Sequence, residues 1–362
     1  MIRVVVLFAF SLNLFCQDWK VQFFHDEDRK KFVVNDFKML DLQRGLAVGF
    51  IEEDQKTKPM MVITANGGKT WTMQPLEQIG ISLFFLDDST GYMVADGGIW
   101  RTDEGGRGWT RVSRQKGLER VWFLDREHGF GVGARKTMME TLDGGKTWKP
   151  VEAARRVDAR EENTRYNWIQ FATPKRGIVV GHSQPTRLLD PEWPDWMDVS
   201  PKARAVLPSL TIFIQTTDGG QTWKASTSSL FGQITRFYDL EDGTALALFQ
   251  YRGSFNRPSD LVRLSKDGKS ETVFGPRDCL LTDVFAAPNG VVYAAGIQAQ
   301  GAYGLLPVDS KVKVFASRDL QEWREMKVDY RALATRVTFS GRDAENVWLA
   351  TDTGMILRLA GY

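Results

Sequence analysis

The sequence predicts an all-β fold, a seven-bladed β-propeller of four-stranded blades whose ring is closed by an N-terminal strand that completes the last blade. Three observations predict it. First, a turn string recurs as TANGGKTW from Thr64, TDEGGRGW from Thr102, TLDGGKTW from Thr141 and TTDGGQTW from Thr216, with degenerate copies SKDGKSET from Ser265 and SRDLQEW from Ser317. Second, the same order surrounds each copy: an apolar run, a turn, a small-residue run such as GLAVGF, GYMVADG, GFGVGA or GIVVGH, a further strand, the string, and a last strand opening on Trp. That is four short strands in about 40 residues, the period of a propeller blade. Third, the last repeat ends after three strands, and QDWKVQF near the N-terminus resembles KTWTMQP of the first repeat, with Trp19 where Trp71 stands. A blade shared by the two chain ends removes the open edges of a linear array.

Taken in order, the blades fall at roughly 32–74, 81–113, 118–152, 167–227, 233–274, 279–328 and 331–362. Ahead of them, Arg3 and the largely apolar run Val4–Phe15 read as a secretory signal peptide over 1–16. Twelve residues are too few to span a bilayer, which takes about 20. A lipid-anchored Cys16 is the rival reading, against which Leu14 and Phe15 place bulk where small residues are usual. Cleavage after Cys16 leaves residues 17–362 as one propeller domain, with an insertion at about 183–208 in blade four, and leaves Cys279 as a lone, buried thiol. A secreted or periplasmic monomer is expected.

Composition narrows the function classes. At 43% apolar and 25% charged the 362 residues can bury a large core, and a net charge of +2 gives no general field for nucleic acid. His25, His128 and His182 are scattered without metal-ligand spacing, so no metal is expected. No Gly-x-Ser-x-Gly elbow is present, and the Gly-Gly pairs lie in hairpins that cannot cradle phosphate; no cofactor is expected.

The turn string itself reads as structure. Asp143 and Asp218 can accept backbone N–H groups within the turn, with Asn66 and Glu104 at the equivalent positions, and the glycines take left-handed conformations. Trp71, Trp109, Trp148 and Trp223 open the outer strands and pack on the blades, each worth about 2–3 kcal/mol. Departures are Gly108 in place of the Thr and the loss of the Trp from the fifth copy.

These residues carry a resemblance. The string Ser/Thr-x-Asp-x-Gly-x-Thr-Trp is similar to the Asp-box, or BNR repeat, of sialidases, sortilin-type receptors and xyloglucanases. Seven blades of about 40 residues with DGGxTW resemble the photosystem II stability and assembly factor family and its secreted bacterial relatives. The resemblance implies a non-catalytic, protein-binding propeller that scaffolds a membrane or envelope complex. The alternative is a carbohydrate-active propeller of the sialidase-like superfamily. The Arg-Ile-Pro segment expected of a sialidase is missing, NRPSD at Asn256 being the nearest string, so no catalytic residue is assigned.

Unusual loop length is expected on one rim, where second-to-third strand loops and blade connections lie. The expanded stretches are IEEDQKTKPM in blade one, the 183–208 region in blade four, YRGSFNRPSD in blade five, QAQGAYGLLPVDSK in blade six, and the connection EAARRVDAREENTRY between blades three and four. Loops on a rigid scaffold are where recognition is built. The candidate partner-binding residues are Arg155, Arg156, Arg160, Arg165, Trp193, Trp196, Tyr251 and Arg252. A second reading stays open for most: the tryptophans can pin the insertion to the propeller, and the arginines can belong to a connecting helix balanced by Glu152, Asp158, Glu161 and Glu162. N-terminal sequencing of the exported protein should begin at Gln17; a retained Met1 or a diacylated Cys16 overturns the signal assignment.

Overall fold

The computed structural model describes residues 18–25, 27, 30–184, 209–240, 243–251, 257–288, 290–298 and 310–360. The strands form seven antiparallel sheets arranged as blades. The inner strands are Lys30–Met39, Gly80–Phe85, Leu118–Phe123, Thr164–Phe171, Gly232–Asp239, Cys279–Ala286 and Val337–Gly341. Second strands such as Gly91–Ala95, Gly129–Gly133 and Gly177–Ser183 are buried along their whole length, as strands covered on both faces must be. Among the described residues no helix is long and apolar enough to cross a membrane. The expected signal peptide, with Cys16, lies outside the described residues.

Closure follows the sequence expectation. Asp18–Phe24 pairs antiparallel with Met355–Ala360 as the outer strand of blade seven, Trp19 opposite Leu359. Trp19 is 1% exposed, packs on Tyr293 and Phe339, and its backbone N–H donates to Lys327 O at 2.9 Å. Gln22 accepts a bond from Trp348 Nε1 at 3.1 Å, tying the two chain ends within the blade.

The Asp-box turns are rigid for identifiable reasons. In blade three, Asp143 Oδ1 accepts the Thr147 N–H at 2.9 Å and Oδ2 the Thr147 hydroxyl at 2.6 Å, while Thr141 Oγ1 accepts the Gly145 N–H at 2.9 Å. Blade four repeats the pattern at Thr216, Asp218 and Thr222. The Thr147 and Thr222 bonds hold the carboxyls of Asp143 and Asp218 down at about 2. Asn66 reproduces the acceptor in blade one, taking the Thr70 N–H at 2.9 Å. Glu104 does not: with Gly108 in place of the Thr, its carboxylate has no hydrogen bond from the turn among the described residues, and blade two's box is tied by Thr102 and by the Gly105 N–H donating to Ser89 O at 2.8 Å.

The tryptophans fill the wedges between blades. Trp223 stands edge-on to Phe130 of blade three and Phe171 of blade four, at 5.3 and 5.9 Å. Trp71 packs on Phe23 and Phe37, Trp109 on Phe85, Trp148 on Phe123, and Trp323 on Phe274. Each lies between its own blade and the one before. The small-residue runs make room: a Cβ on Gly177 would meet the Phe171 ring at 2.5 Å, and one on Gly220, at φ +93°, would meet Phe130 at 2.2 Å.

Two expectations need correction. The stretch IEEDQKTKPM is not an expanded loop, because Gly45–Glu53 and Lys56–Thr64 pair to their ends and turn on Asp54 and Gln55, with φ of 49° and 63°. Two consecutive left-handed residues make a tight hairpin that matches strand twist. Leu333–Ala334, expected in blade seven, pairs with Ser310–Lys311 and extends blade six.

Trp19→Ala should lower stability by about 3–5 kcal/mol through the cavity it leaves, and deleting residues 18–24 should lower the melting temperature further by opening the ring. Thermal unfolding by circular dichroism checks both; an unchanged midpoint in the deletion refutes closure as the source of stability.

Candidate functional site

Six of the seven inner strands carry a β-bulge at the same place, between Val34 and Asp36, Gly80 and Ser82, Leu118 and Arg120, Tyr166 and Trp168, Ile234 and Arg236, and Leu281 and Asp283. A bulge re-aims the residue that follows it. Here it sets Asp36, Ser82, Arg120, Trp168, Arg236 and Asp283 at one level of the central channel, with Arg336 entering just ahead of the blade-seven strand. A cavity of about 440 Å³ reaches this level, lined by Ser82, Arg120 and Trp168 and, farther along, by Lys38, Tyr238 and Phe285 among others.

Two of the arginines are satisfied. Arg236 Nε donates to Asp283 Oδ1 at 2.8 Å, and this pair outweighs burial to raise its affinity for its proton. Arg336 donates to Val34 O at 3.3 Å and Asn35 O at 3.0 Å. Arg120 differs. Among the described residues its guanidinium has no carboxylate or carbonyl partner; it lies over the Trp168 ring at 4.8 Å, as Arg236 does at 5.4 Å. Burial, then the like charge of Arg236, pushes its pKa below the usual arginine value, with Arg336 adding to the effect. Arginine does not give up its proton in proteins, so Arg120 is a partly buried cation with no hydrogen-bonded carboxylate among the described residues, Asp36 and Asp283 acting on it only through space.

The channel carboxylates are already committed. Asp36 accepts the N–H groups of Phe37 and Leu83, at 2.9 and 2.8 Å, and Asp283 accepts Phe339 N–H at 2.7 Å besides Arg236. Among the described residues no cluster of His, Cys, Asp and Glu could hold a metal ion.

Of the residues expected on the rim, Arg165 comes closest to this site. It starts the blade-four inner strand, its Nη2 lies 3.5 Å from Glu119 Oε1 beside Arg120, and it lines a polar hollow of about 530 Å³ with Arg135, Asn163, Asn167, His182 and Gln233. Arg155 and Arg156 stand apart on the one-turn helix Glu152–Arg155 and its end, exposed, with Arg155 paired to Glu152 at 3.2 Å. That helix is pinned over the outer side of blades three and four, Ala154 O accepting the Tyr166 hydroxyl at 2.7 Å. Arg160 is exposed and precedes the 3-10 turn Glu161–Asn163. Tyr251 is half-buried and donates its hydroxyl to Asp260 at 2.5 Å; burial and that bond push it up to about 12. Trp193, Trp196 and Arg252 lie outside the described residues.

Sequence reasoning missed Arg120, Trp168, Arg236 and Arg336. The signal was a charged or polar residue inside each otherwise apolar first run, as in LERVWF, ITRFYD and LTDVF, at a constant place in the repeat.

Comparison with known proteins finds sequence relatives among photosystem II assembly factors. The family described as "Photosynthesis system II assembly factor YCF48" matches residues 112–259. The chain is 25% identical over 261 residues to the photosystem II stability/assembly factor HCF136 of Arabidopsis thaliana, covering 64% of this chain and 61% of that one. It is 28% identical over 255 residues to the photosystem II assembly protein Ycf48 of Thermosynechococcus vestitus, covering 65% and 67%. Matched stretches span between 41% and 67% of the first four curated relatives. A solved structure of YCF48 bound to a D1 peptide superposes with a TM-score of 0.58 at 15% identity, covering 93% of this chain and 98% of that chain, which shows the shared propeller fold. The chain is an Asp-box propeller resembling the photosystem II assembly factors.

Arg120→Met should leave the melting temperature unchanged or raise it, because it removes a cation crowded by like charge. Asp283→Ala should destabilise by about 3–5 kcal/mol, stranding Arg236 without its partner. Chemical denaturation of both variants distinguishes them.

Proposed function

We propose that this chain is an extracytoplasmic, non-catalytic assembly factor that holds an acidic segment of a partner protein at the arginine-lined end of its channel. One observation carries the reading: Arg120, partly buried and crowded by Arg236 and Arg336, has no hydrogen-bonded carboxylate among the described residues, the nearby Asp36 and Asp283 being bonded to other groups. A partner's carboxylate would supply that bond, and the Trp168 face and the hollow around Arg165 would hold flanking residues. The relatives are named as assembly factors, and a propeller of the same fold takes a peptide from D1. Both support a protein ligand over a glycan. Channel carboxylates already tied to backbone N–H groups support the absence of catalysis. The arginines of the 152–165 connection are matched in number by Glu152, Asp158, Glu161 and Glu162, so steering of an acidic partner would rest on the channel arginines and Arg165.

Tagged protein cross-linked in intact envelopes should capture a partner that Arg120→Met captures at least about tenfold less well, a loss of about 1.4 kcal/mol. Affinity should also fall with salt, less steeply once Arg165→Glu is introduced. Undiminished capture by Arg120→Met, with loss only on deleting residues 186–207, would place recognition in the blade-four insertion instead.

A further inference from the structure

Six tryptophans, Trp19, Trp71, Trp109, Trp148, Trp223 and Trp323, each fill one wedge between neighbouring blades. Among the described residues the wedge between blades four and five has no tryptophan from an outer strand; Trp168 of the inner strand packs against it from the channel side. Its Asp-box is shortened: Leu264 pairs with Ser270, so only residues 265–269 turn, where in blade four Gln215 pairs with Lys224 and eight residues, 216–223, intervene. The position of the Phe that faces the indole, Phe123 in blade three and Phe171 in blade four, is Asp239 in blade five. Opposite it, the glycine that admits that ring has become Ala245. Blade five thus departs from blades two to four at all three positions; Met39 holds the Phe position in blade one, and blades six and seven keep their tryptophans with Ala286 opposite Val292 and Gly341 opposite Val347.

What remains is a cleft of about 700 Å³ that reaches from the outer strands to the inner ones. Its walls are apolar at Ile178, Phe213, Phe237 and Leu264, and Arg176, paired to Asp239 at 3.0 Å, lies at its floor. Lys224 and Lys266 also line it, and among the described residues neither has a carboxylate partner.

We propose that this cleft is a second docking site, which takes an aromatic side chain, of tryptophan size, carried by an acidic segment of a partner protein. The other wedges define the shape and chemistry that fit: an indole held edge-on between two blades. The two unpaired lysines define the sign of the flanking charge, and the Arg176 guanidinium offers a cation to the ring. The site lies on the Asp-box face, opposite the arginine-lined end of the channel. It rests on the reading of this protein as a protein binder but on none of the residues of that first site.

The test uses the peptide acetyl-Glu-Trp-Asp-amide against the full folded chain, by calorimetry and saturation-transfer NMR. Saturable binding is expected, with acetyl-Glu-Ala-Asp-amide at least about tenfold weaker. Replacing residues 265–269 with TTDGGQTW restores the missing box, and should raise the melting temperature and abolish binding. Ser226→Trp, an exposed change at the cleft mouth, should also block binding if the graft does not fold, and Lys224→Glu with Lys266→Glu should weaken it at least about tenfold. Arg120→Met should leave it unchanged, which separates failure of this site from failure of the first. No binding to the native chain, equal binding of the alanine peptide, or undiminished binding in the filled variants overturns the proposal. So does a native dimer in sedimentation that Ser226→Trp dissolves, since the occupant would then be a second copy of this chain.

Discussion

Flat sheets arranged around an axis diverge toward the outside, and the gap between each pair must be filled or the ring has no core. In this chain a large ring delivered by the outer strand fills it, so the Asp-box exists to place an indole. The bonds of Asp143 and Thr141 fix the turn, the turn fixes where Trp148 begins its strand, and Trp148 meets Phe123 edge-on in the wedge. The glycines of the second strands follow from the same demand, since the Phe171 ring occupies the volume a side chain at Gly177 would need. Even closure obeys it: Trp19 comes from the other end of the chain and fills the wedge between blades six and seven.

The inner strands are held by a different device. Bulges turn polar side chains toward the neighbouring blade, where Asn35 donates to Gly80 O, Ser82 to Glu119 O and Asn167 to Ile234 O, while Asp36 accepts from Leu83 N. Buried polar groups are stable here because each bond also satisfies a backbone group. Within that ring Arg120 stands out as a residue the stitching does not use. Between blades three and four the backbone crosses instead, through the Ala134–Arg165 bridge and Lys136 N to Thr164 O. Structure is thereby supplied without a hydrogen bond from Arg120.

The propeller was legible because its signals are local and repeated: a turn string, a small-residue run and a Trp, each at a fixed offset. Closure was legible from the same offsets at the chain ends. Blade one's hairpin was misread because Asp-Gln is not a usual left-handed pair, and only the ladder from Gly45 to Thr64 reveals the turn. The channel arginines were harder still. Arg120, Arg236 and Arg336 are 216 residues apart at the extremes, and their meeting depends on bulges that no single blade announces. Arg165 was found because it lies in a visibly long connection, whereas Arg120 lies inside a strand whose apolar run reads as core.

Blade five is the instructive case, because its missing Trp was visible in the sequence while its meaning was not. Read alone, SKDGKSET is a decayed turn, and decay predicts a loosened blade. The structure sets the loss beside two others, Asp239 where Phe would stand and Ala245 where Gly would stand, and ties Asp239 to Arg176 of the neighbouring blade. At this depth the wedge between blades four and five carries the Arg176–Asp239 ion pair where blades two to four carry a Phe ring. The same geometry that makes an indole a structural necessity in six wedges makes its absence in the seventh a vacancy with a defined shape.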